Sequence, residues 1–296
     1  MKQLIKEDGI INGLTAQDEL TGEEITIKSK VVINATGVFS DEIMQMDAPE
    51  SKPMIRPSQG VHLVLEKSFL KGQQAIMVPH TTDGRVLFAV PWNNYVIVGT
   101  TDTQIKKIDV EPKPLKEEVE FILKNAGTYM KSAPTFSDIK SIFTGLRPLA
   151  APEKNEKATK EISRHHKVTV STSGLISILG GKWTTYRKMA EDTVNTARSV
   201  AGLQDRECIT HNLTIHGYDY SSNWKNPIHF YGTDIEKIEN LDRKGNSSIS
   251  EKFFISKNQI IWAIRNEMAM TLEDVMARRT RSLFLDAKES LRIAPK

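Results

Sequence analysis

Gly180-Gly181-Lys182 stands between a short apolar run, Leu175-Ile176-Ser177-Ile178-Leu179, and a stretch in which Tyr186, Met189, Val194, Ala197 and Val200 recur near helical spacing. The order predicts a strand, a tight glycine turn and a helix. Such a corner is an anion site: free amides and the positive end of the helix dipole face whatever lies above the turn, and Lys182 adds a full charge. The chemistry on offer is a seat for a phosphate or for an electron-rich ring. Glycine-rich turns also join strands to helices in any α/β protein, so Gly-Gly-Lys by itself leaves a purely structural turn open.

A second candidate lies near the start of the chain. Val31-Val32-Ile33 reads as a buried strand and ends in Asn34-Ala35-Thr36-Gly37. Small residues at the carboxyl end of a strand let a ligand approach the backbone, and open α/β sheets bind nucleotides at such ends. Strand ends often carry Ala and Gly for other reasons.

The elements that must hold these residues can be read in outline. Thr21-Gly22-Glu23 predicts a hairpin within residues 10–32. Between Met54 and Asp102 four β-prone runs, 60–65, 73–78, 85–90 and 95–99, are separated by Asp83-Gly84 and Pro91-Trp92-Asn93-Asn94, which predicts a largely antiparallel sheet. Residues 112–131 form a charged helix with Val119, Ile122, Leu123 and Ala126 on one side. A charged loop over 153–160 reads as a solvated tip, and Lys167-Val168-Thr169-Val170 as a strand. His165 and His166, adjacent before it, face opposite sides and cannot chelate one metal, so no metal site is assigned. The composition shifts near His216-Gly217-Tyr218, and residues 258–279 read as one helix with Ile260, Ile261, Ile264, Met268, Leu272, Val275 and Met276 on a face. Arg278, Arg279 and Arg281 suit the C-terminal end of that helix better than they suit nucleic acid.

Composition narrows the class. Among 296 residues, 40 Lys and Arg against 37 Asp and Glu leave a net charge of +3, too small to argue for nucleic acid, and 39% apolar residues are ordinary for a water-soluble fold. One cysteine, Cys208, excludes an intrachain disulfide and a cysteine metal cluster and points to a reducing compartment. No apolar run reaches the length of a membrane span, and the first residues lack a signal-peptide core; attachment to a membrane surface stays open.

The longer string Gly180-Gly181-Lys182-Trp183-Thr184-Thr185-Tyr186-Arg187-Lys188-Met189-Ala190-Glu191 resembles the flavin-contacting segment of FAD-dependent glycerol-3-phosphate dehydrogenases and oxidases. Asn34-Ala35-Thr36-Gly37-Val38-Phe39-Ser40-Asp41 is similar to the turn that flanks FAD in two-dinucleotide-domain flavoproteins. Residues 83–92, Val98-Gly99-Thr100-Thr101-Asp102-Thr103 and 266–281 extend the likeness over nearly the whole chain. It implies an α/β (α+β) fold with a partial FAD-binding domain (1–50 and 171–204), an antiparallel-sheet substrate domain (51–170) and a helical C-terminal domain cut short (205–296). The G-x-G-x-x-G fingerprint expected early in such enzymes does not occur in these residues, so the chain is expected to be a fragment or a shortened reading frame.

Oxidising a secondary alcohol with a flavin requires a hydride acceptor, a group for the hydroxyl proton and cations for any phosphate. On the resemblance, Arg147 matches the family arginine near the reacting carbon and Arg164 one that binds the phosphate. Lys182 matches the lysine beside the flavin, and His62 an active-site histidine able to handle the proton. Ala35, Thr36, Gly37, Gly180, Gly181 and Lys182 would hold FAD, with Thr184 and Thr185 near the pyrimidine edge. By spacing alone, Arg147 and Arg164 read more simply as surface ion pairs, His62 as a satisfied strand residue and Lys182 as a solvent lysine. Two departures stand out: His165 follows Arg164 where the family usually has an acid, and a second phosphate-binding arginine lies in a family segment not present here.

The implied reaction is oxidation of sn-glycerol 3-phosphate to dihydroxyacetone phosphate, with hydride passing from C2 to flavin N5 and electrons to a quinone. The implied setting is cytoplasmic, peripheral on the inner face of the cell membrane; a homodimer is allowed. Competing readings are an oxidase using oxygen, a non-catalytic remnant that cannot hold FAD, and an amine- or amino-acid-oxidising relative.

Overall fold

Alternating apolar residues and tight turns build most of the sheet structure. A computed structural model describes residues 1–151, 165–223 and 225–295. In chain order the strands are β1 (Gln3–Glu7), β2 (Ile10–Gln17), β3 (Glu24–Lys28), β4 (Ile33–Asn34), β5 (Ile55–Glu66), β6 (Ile76–Val78), β7 (Leu87–Trp92), β8 (Tyr95–Gly99), β9 (Thr103–Gln104), β10 (Ser141–Ala150), β11 (His166–Val170), β12 (Ile176–Gly180), β13 (Ser248–Ser250) and β14 (Ile255–Ser256). The helices are α1 (Ser40–Asp47), α2 (Lys116–Gly127), α3 (Tyr186–Val200), α4 (Ile235–Asn240), α5 (Lys257–Asn266), α6 (Ser282–Leu285) and α7 (Ala287–Ile293). The chain divides into two compact units. Unit 1 comprises residues 1–60, 102–112 and 145–212, and unit 2 residues 61–101, 113–144 and 213–296.

Unit 1 contains two three-stranded sheets. β1, β2 and β3 form an antiparallel meander, with the expected turn at Gly22 closed by the Asp18 amide on the Glu23 carbonyl at 2.8 Å. The second sheet has the order β11-β12-β4: β12 pairs antiparallel with β11 and parallel with β4. Its expected buried strand over 31–33 is shorter and displaced, Ile33–Asn34, with Val32 buried and Ile33 turned outward. Ile11, Val32 and Leu175 close a small core between the meander and the mixed sheet. Lys6 and Ser173 both bond the carboxylate of Asp47, at the end of α1.

In unit 2 the strands follow the order β10-β5-β8-β7-β6, and the β5–β8, β8–β7 and β7–β6 pairs are antiparallel, as the turn signals predict. The tight two-residue turn is Asn93-Asn94, both with positive φ, whereas Asp83-Gly84 lies inside a longer connection from Val78 to Leu87. β5 alternates: Val61, Leu63 and Leu65 pack with Val96, Val98 and α2 residues Val119, Ile122 and Ala126, while Val64 faces Tyr95 and Leu285. Strand periodicity sends successive side chains to opposite faces, so both faces of β5 are covered.

The expected single helix over 258–279 is interrupted. α5 ends at Asn266, Met268 takes a left-handed φ of 55°, and a separate π-helical turn spans Asp274–Arg279. Thr271 and Asp274 explain the break: Asp274 accepts the Met270 and Thr271 amides at 3.0 and 2.9 Å, and Thr271 Oγ1 accepts the Asp274 amide at 3.1 Å. That reciprocal cap starts a helix anew instead of continuing one. Arg278 pairs with Glu273 and Asp274, and Arg279 donates to the Glu267 carbonyl, so both arginines serve local structure. Among the described residues no helix is long and apolar enough to cross a membrane.

Candidate flavin-facing site

The local sequence of β12 explains its corner. Ile176 and Leu179 are buried, and the strand ends where Gly180 and Gly181 adopt φ of 70° and 85°. A β-carbon on Gly180 would lie 2.9 Å from the His165 carbonyl oxygen and 3.2 Å from the Ala150 side chain. Glycine is therefore required both for the backbone and for the close approach of neighbouring segments. Lys182 is extended, and a single 3₁₀ turn, Trp183–Thr185, precedes α3. The sequence predicts a direct entry into the helix; the structure inserts this turn, closed by Thr185 Oγ1 donating to the Lys182 carbonyl at 3.0 Å. The Trp183 and Thr184 amides open the turn and, as at any helix start, have no acceptor within it.

The predicted apolar stripe of α3 is only partly buried. Ala197 is packed, but Tyr186, Val194 and Val200 are exposed. Polar contacts fix the helix as well: His166 Nε2 lies 2.9 Å from the Asp192 carboxylate, which also takes Lys188 at 2.8 Å. Those two hydrogen bonds, Lys188 first and then His166, hold the Asp192 carboxyl below its ordinary range.

The second turn is locked to the first by one buried side chain. Asn34 is 2% exposed; its Nδ2 donates to the Ser40 carbonyl at 3.0 Å and to Ser177 Oγ of β12 at 3.2 Å. Its Oδ1 accepts the Thr36 hydroxyl at 2.7 Å, shaping Ala35-Thr36-Gly37. Because β4 and β12 run parallel, Ile33 against Ile176 and Asn34 against Ser177, both turns leave carboxyl ends of neighbouring strands. The role of Asn34 is not visible from Asn34-Ala35-Thr36-Gly37 alone; an amide placed between an apolar run and a small-residue turn was the available signal. Just beyond the turn, Asp41 accepts the Met54 and Ile55 amides at 2.8 and 3.1 Å.

Arg147 enters the same unit on β10. Pro148 comes within 4.0 Å of the β-carbon position of Gly37, and Ala150 packs at Gly180, so the strand carrying Arg147 touches both turns. Arg147 is half-buried, with its Nη1 wholly covered. Unit 1 thus gathers Ala35, Thr36, Gly37, Arg147, Gly180, Gly181, Lys182, Thr184 and Thr185. Lys182, Thr184 and Thr185 are exposed, and Trp183 and Tyr186 stack beside them with ring centroids 5.6 Å apart. The Lys182 ammonium makes no ion pair among the described residues. Arg164 and the expected loop over 153–160 lie outside the described residues.

His62 belongs to unit 2. It sits on β5 opposite Gly99, where a β-carbon would fall 2.5 Å from the imidazole Cδ2. Its ring stacks on Phe143 at 5.0 Å, and Phe143 meets Phe284 edge-on.

These residues suit a flavin cofactor. Two small-residue turns at adjacent parallel strand ends, open helix-start amides and an uncommitted lysine form a surface that accepts negative charge without crowding. Comparison with known proteins gives the same class. A family model described as FAD dependent oxidoreductase matches residues 3–187, and one described as the C-terminal domain of alpha-glycerophosphate oxidase matches residues 175–296. A probable mitochondrial glycerol-3-phosphate dehydrogenase of Dictyostelium discoideum is 34% identical over 99% of this chain and 51% of its own length. The mitochondrial glycerol-3-phosphate dehydrogenase of Homo sapiens is 33% identical over 97% of this chain and 42% of its own. The X-ray structure of the glycerol-3-phosphate dehydrogenase from Bacillus halodurans complexed with FAD superposes with a TM-score of 0.80 at 28% identity, covering 99% of this chain and 63% of that one. The chain belongs to the FAD-dependent glycerol-3-phosphate dehydrogenase family. It spans about half the length of the curated relatives it matches.

Proposed function

We propose that this protein takes part in the FAD-dependent oxidation of sn-glycerol 3-phosphate to dihydroxyacetone phosphate, and that unit 1 carries the flavin-facing part of the site. The observation that supports this most directly is the parallel pairing of β4 with β12, which sets the Ala35–Gly37 and Gly180–Gly181 turns side by side with the Arg147 strand against both. Bound FAD would supply the hydride acceptor that oxidation at C2 of the alcohol requires. Ala35, Thr36, Gly37, Gly180 and Gly181 would hold the cofactor by backbone approach. The Trp183 and Thr184 amides and the Lys182 ammonium stabilise negative charge at that corner, with the Thr184 and Thr185 hydroxyls beside them. Arg147 orients the substrate by charge-assisted hydrogen bonds near the reacting carbon, and Arg164 is assigned to its phosphate. His62 is assigned the hydroxyl proton, which an imidazole nitrogen could accept as general base.

The domain division follows from this reading: residues 1–50 and 171–204 belong with the flavin, 51–170 with the substrate, and 205–296 with the C-terminal part. The electrons pass to a quinone at the inner face of the cell membrane, where the protein binds peripherally from the cytoplasm.

The test is purification with FAD present, followed by addition of glycerol 3-phosphate. A flavin absorption band that bleaches on substrate addition, with reduction of a soluble quinone analogue, is the expected result. Oxygen consumption without quinone reduction would favour an oxidase. A colourless protein that stays inactive with added FAD would leave a non-catalytic remnant, and bleaching by amino acids alone would move the activity to another substrate class.

A further inference from the structure

Unit 2 contains a cavity of about 350 Å³ between the Asn93-Asn94 hairpin turn and the segments around residues 225–230 and 252–259. It takes no part in the reaction proposed above. Among the described residues its wall carries three lysines, Lys67, Lys225 and Lys252, and no aspartate or glutamate. Lys252 is already paired with Asp286 at 2.9 Å, and Lys67 donates to the Gly72 carbonyl. Lys225 makes no side-chain hydrogen bond or ion pair among the described residues.

The second observation is a fixed donor at the cavity wall. Gln259 lines the cavity and is only 3% exposed. Its Oε1 accepts the Ser256 amide at 2.6 Å as part of the α5 cap, which fixes the side chain. Its Nε2 makes no hydrogen bond among the described residues. This nitrogen is not among the wholly covered polar atoms, so it stays open at the cavity wall while the bonded Oε1 holds the side chain in place, a donor ready for an acceptor that enters. Trp92 and Phe253 add flat apolar surface to the same wall.

We infer that this cavity binds a small phosphate ester, with the phosphate taken by Lys225 and the Gln259 Nε2 and its organic part set against Trp92 and Phe253. Positive charge without a competing carboxylate selects the anion; the fixed amide gives it direction. The volume lies at the lower end of the range of small-molecule sites, which limits the ligand to a few tens of atoms at most.

Calorimetric titration of the whole protein with phenyl phosphate, inorganic phosphate and phenol tests the assignment. Phenyl phosphate is expected to bind more tightly than inorganic phosphate, and phenol not at all. Gln259→Glu keeps an acceptor for the Ser256 amide but replaces the donor with a like charge; Lys225→Gln removes the free cation. Each is expected to weaken phenyl phosphate roughly tenfold or more while leaving the thermal midpoint near that of the unaltered protein. Lys257→Gln, outside the cavity wall, should change nothing. Absence of phenyl phosphate binding, or binding that neither cavity variant weakens, overturns the inference; the latter would place the anion elsewhere, including at the substrate site of unit 1.

Discussion

Arg147 and Gly180 carry the consequences that can be read one residue at a time. Gly180 has φ of 70° and neighbours at 2.9 and 3.2 Å from where a β-carbon would stand. Gly180→Ala therefore strains the backbone and pushes on the His165 carbonyl, and should cost about 1–3 kcal/mol. Denaturant unfolding measures the loss, and an unchanged midpoint would contradict this geometry. Arg147→Lys keeps the charge but loses the planar fork. If the proposed role holds, flavin content stays the same while kcat/KM for glycerol 3-phosphate falls by roughly 10- to 100-fold, the span of a charge-assisted hydrogen bond of about 1.5–3 kcal/mol. A fall in flavin content instead would make Arg147 a cofactor residue.

At the scale of elements, two carboxylates do different work: one ties α1 to the segments beside it, the other starts a turn. Asp47, at the end of α1, is buried; burial pushes its carboxyl up, and the hydrogen bonds from Lys6, Ser173 and Ser171 outweigh that and bring it below the ordinary range. Asp47→Ala takes the carboxylate from the Lys6 ammonium, which keeps only the residue-47 carbonyl, and from the Ser173 hydroxyl, which keeps only Ser171, and should lower stability by about 1–3 kcal/mol in thermal unfolding. Asp274 caps the π-helical turn, and the Met270 and Thr271 amides hold its carboxyl down at about 2 against an ordinary 3.8. A lowered folded-state value means the stabilisation is complete above pH 3.8 and is lost as pH falls toward 2. Helical signal from this turn should survive acidification until that window and disappear within it; Asp274→Asn should abolish the pH dependence there. Leu63, wholly buried on β5, gives the packing counterpart: Leu63→Ala should cost about 2–5 kcal/mol.

For the whole molecule, the testable property is linkage between cofactor and fold. A ligand that binds only the folded chain at a hundred times its Kd stabilises it by about 2.7 kcal/mol. FAD should therefore raise the thermal midpoint of this protein, and Gly180→Ala should reduce that rise. An unaltered midpoint at saturating FAD would sink the proposal that unit 1 seats the cofactor in this chain. Amide exchange should be slowest in β5 and β8, whose Val61, Val64, Val96 and Val98 are fully buried, and fast at the exposed Lys182–Tyr186 corner.

Local pattern determined much of this protein without tertiary help. The glycine corner between Leu179 and Lys182, the antiparallel runs between Met54 and Asp102, and α2 with Val119, Ile122, Leu123 and Ala126 inward all follow from periodicity and turn chemistry, which neighbours in the chain supply. What only the tertiary structure decided involves partners far apart in sequence. Asn34 meets Ser177 across 143 positions, and that contact turns two unremarkable small-residue turns into one edge. The exposed side of α3 and the break at Met268 were hidden for the opposite reason: helical spacing shows that a face is apolar, but whether anything covers it, and whether a Thr271–Asp274 cap outcompetes continuation, depends on burial and on hydrogen bonds that exist only once the chain has folded.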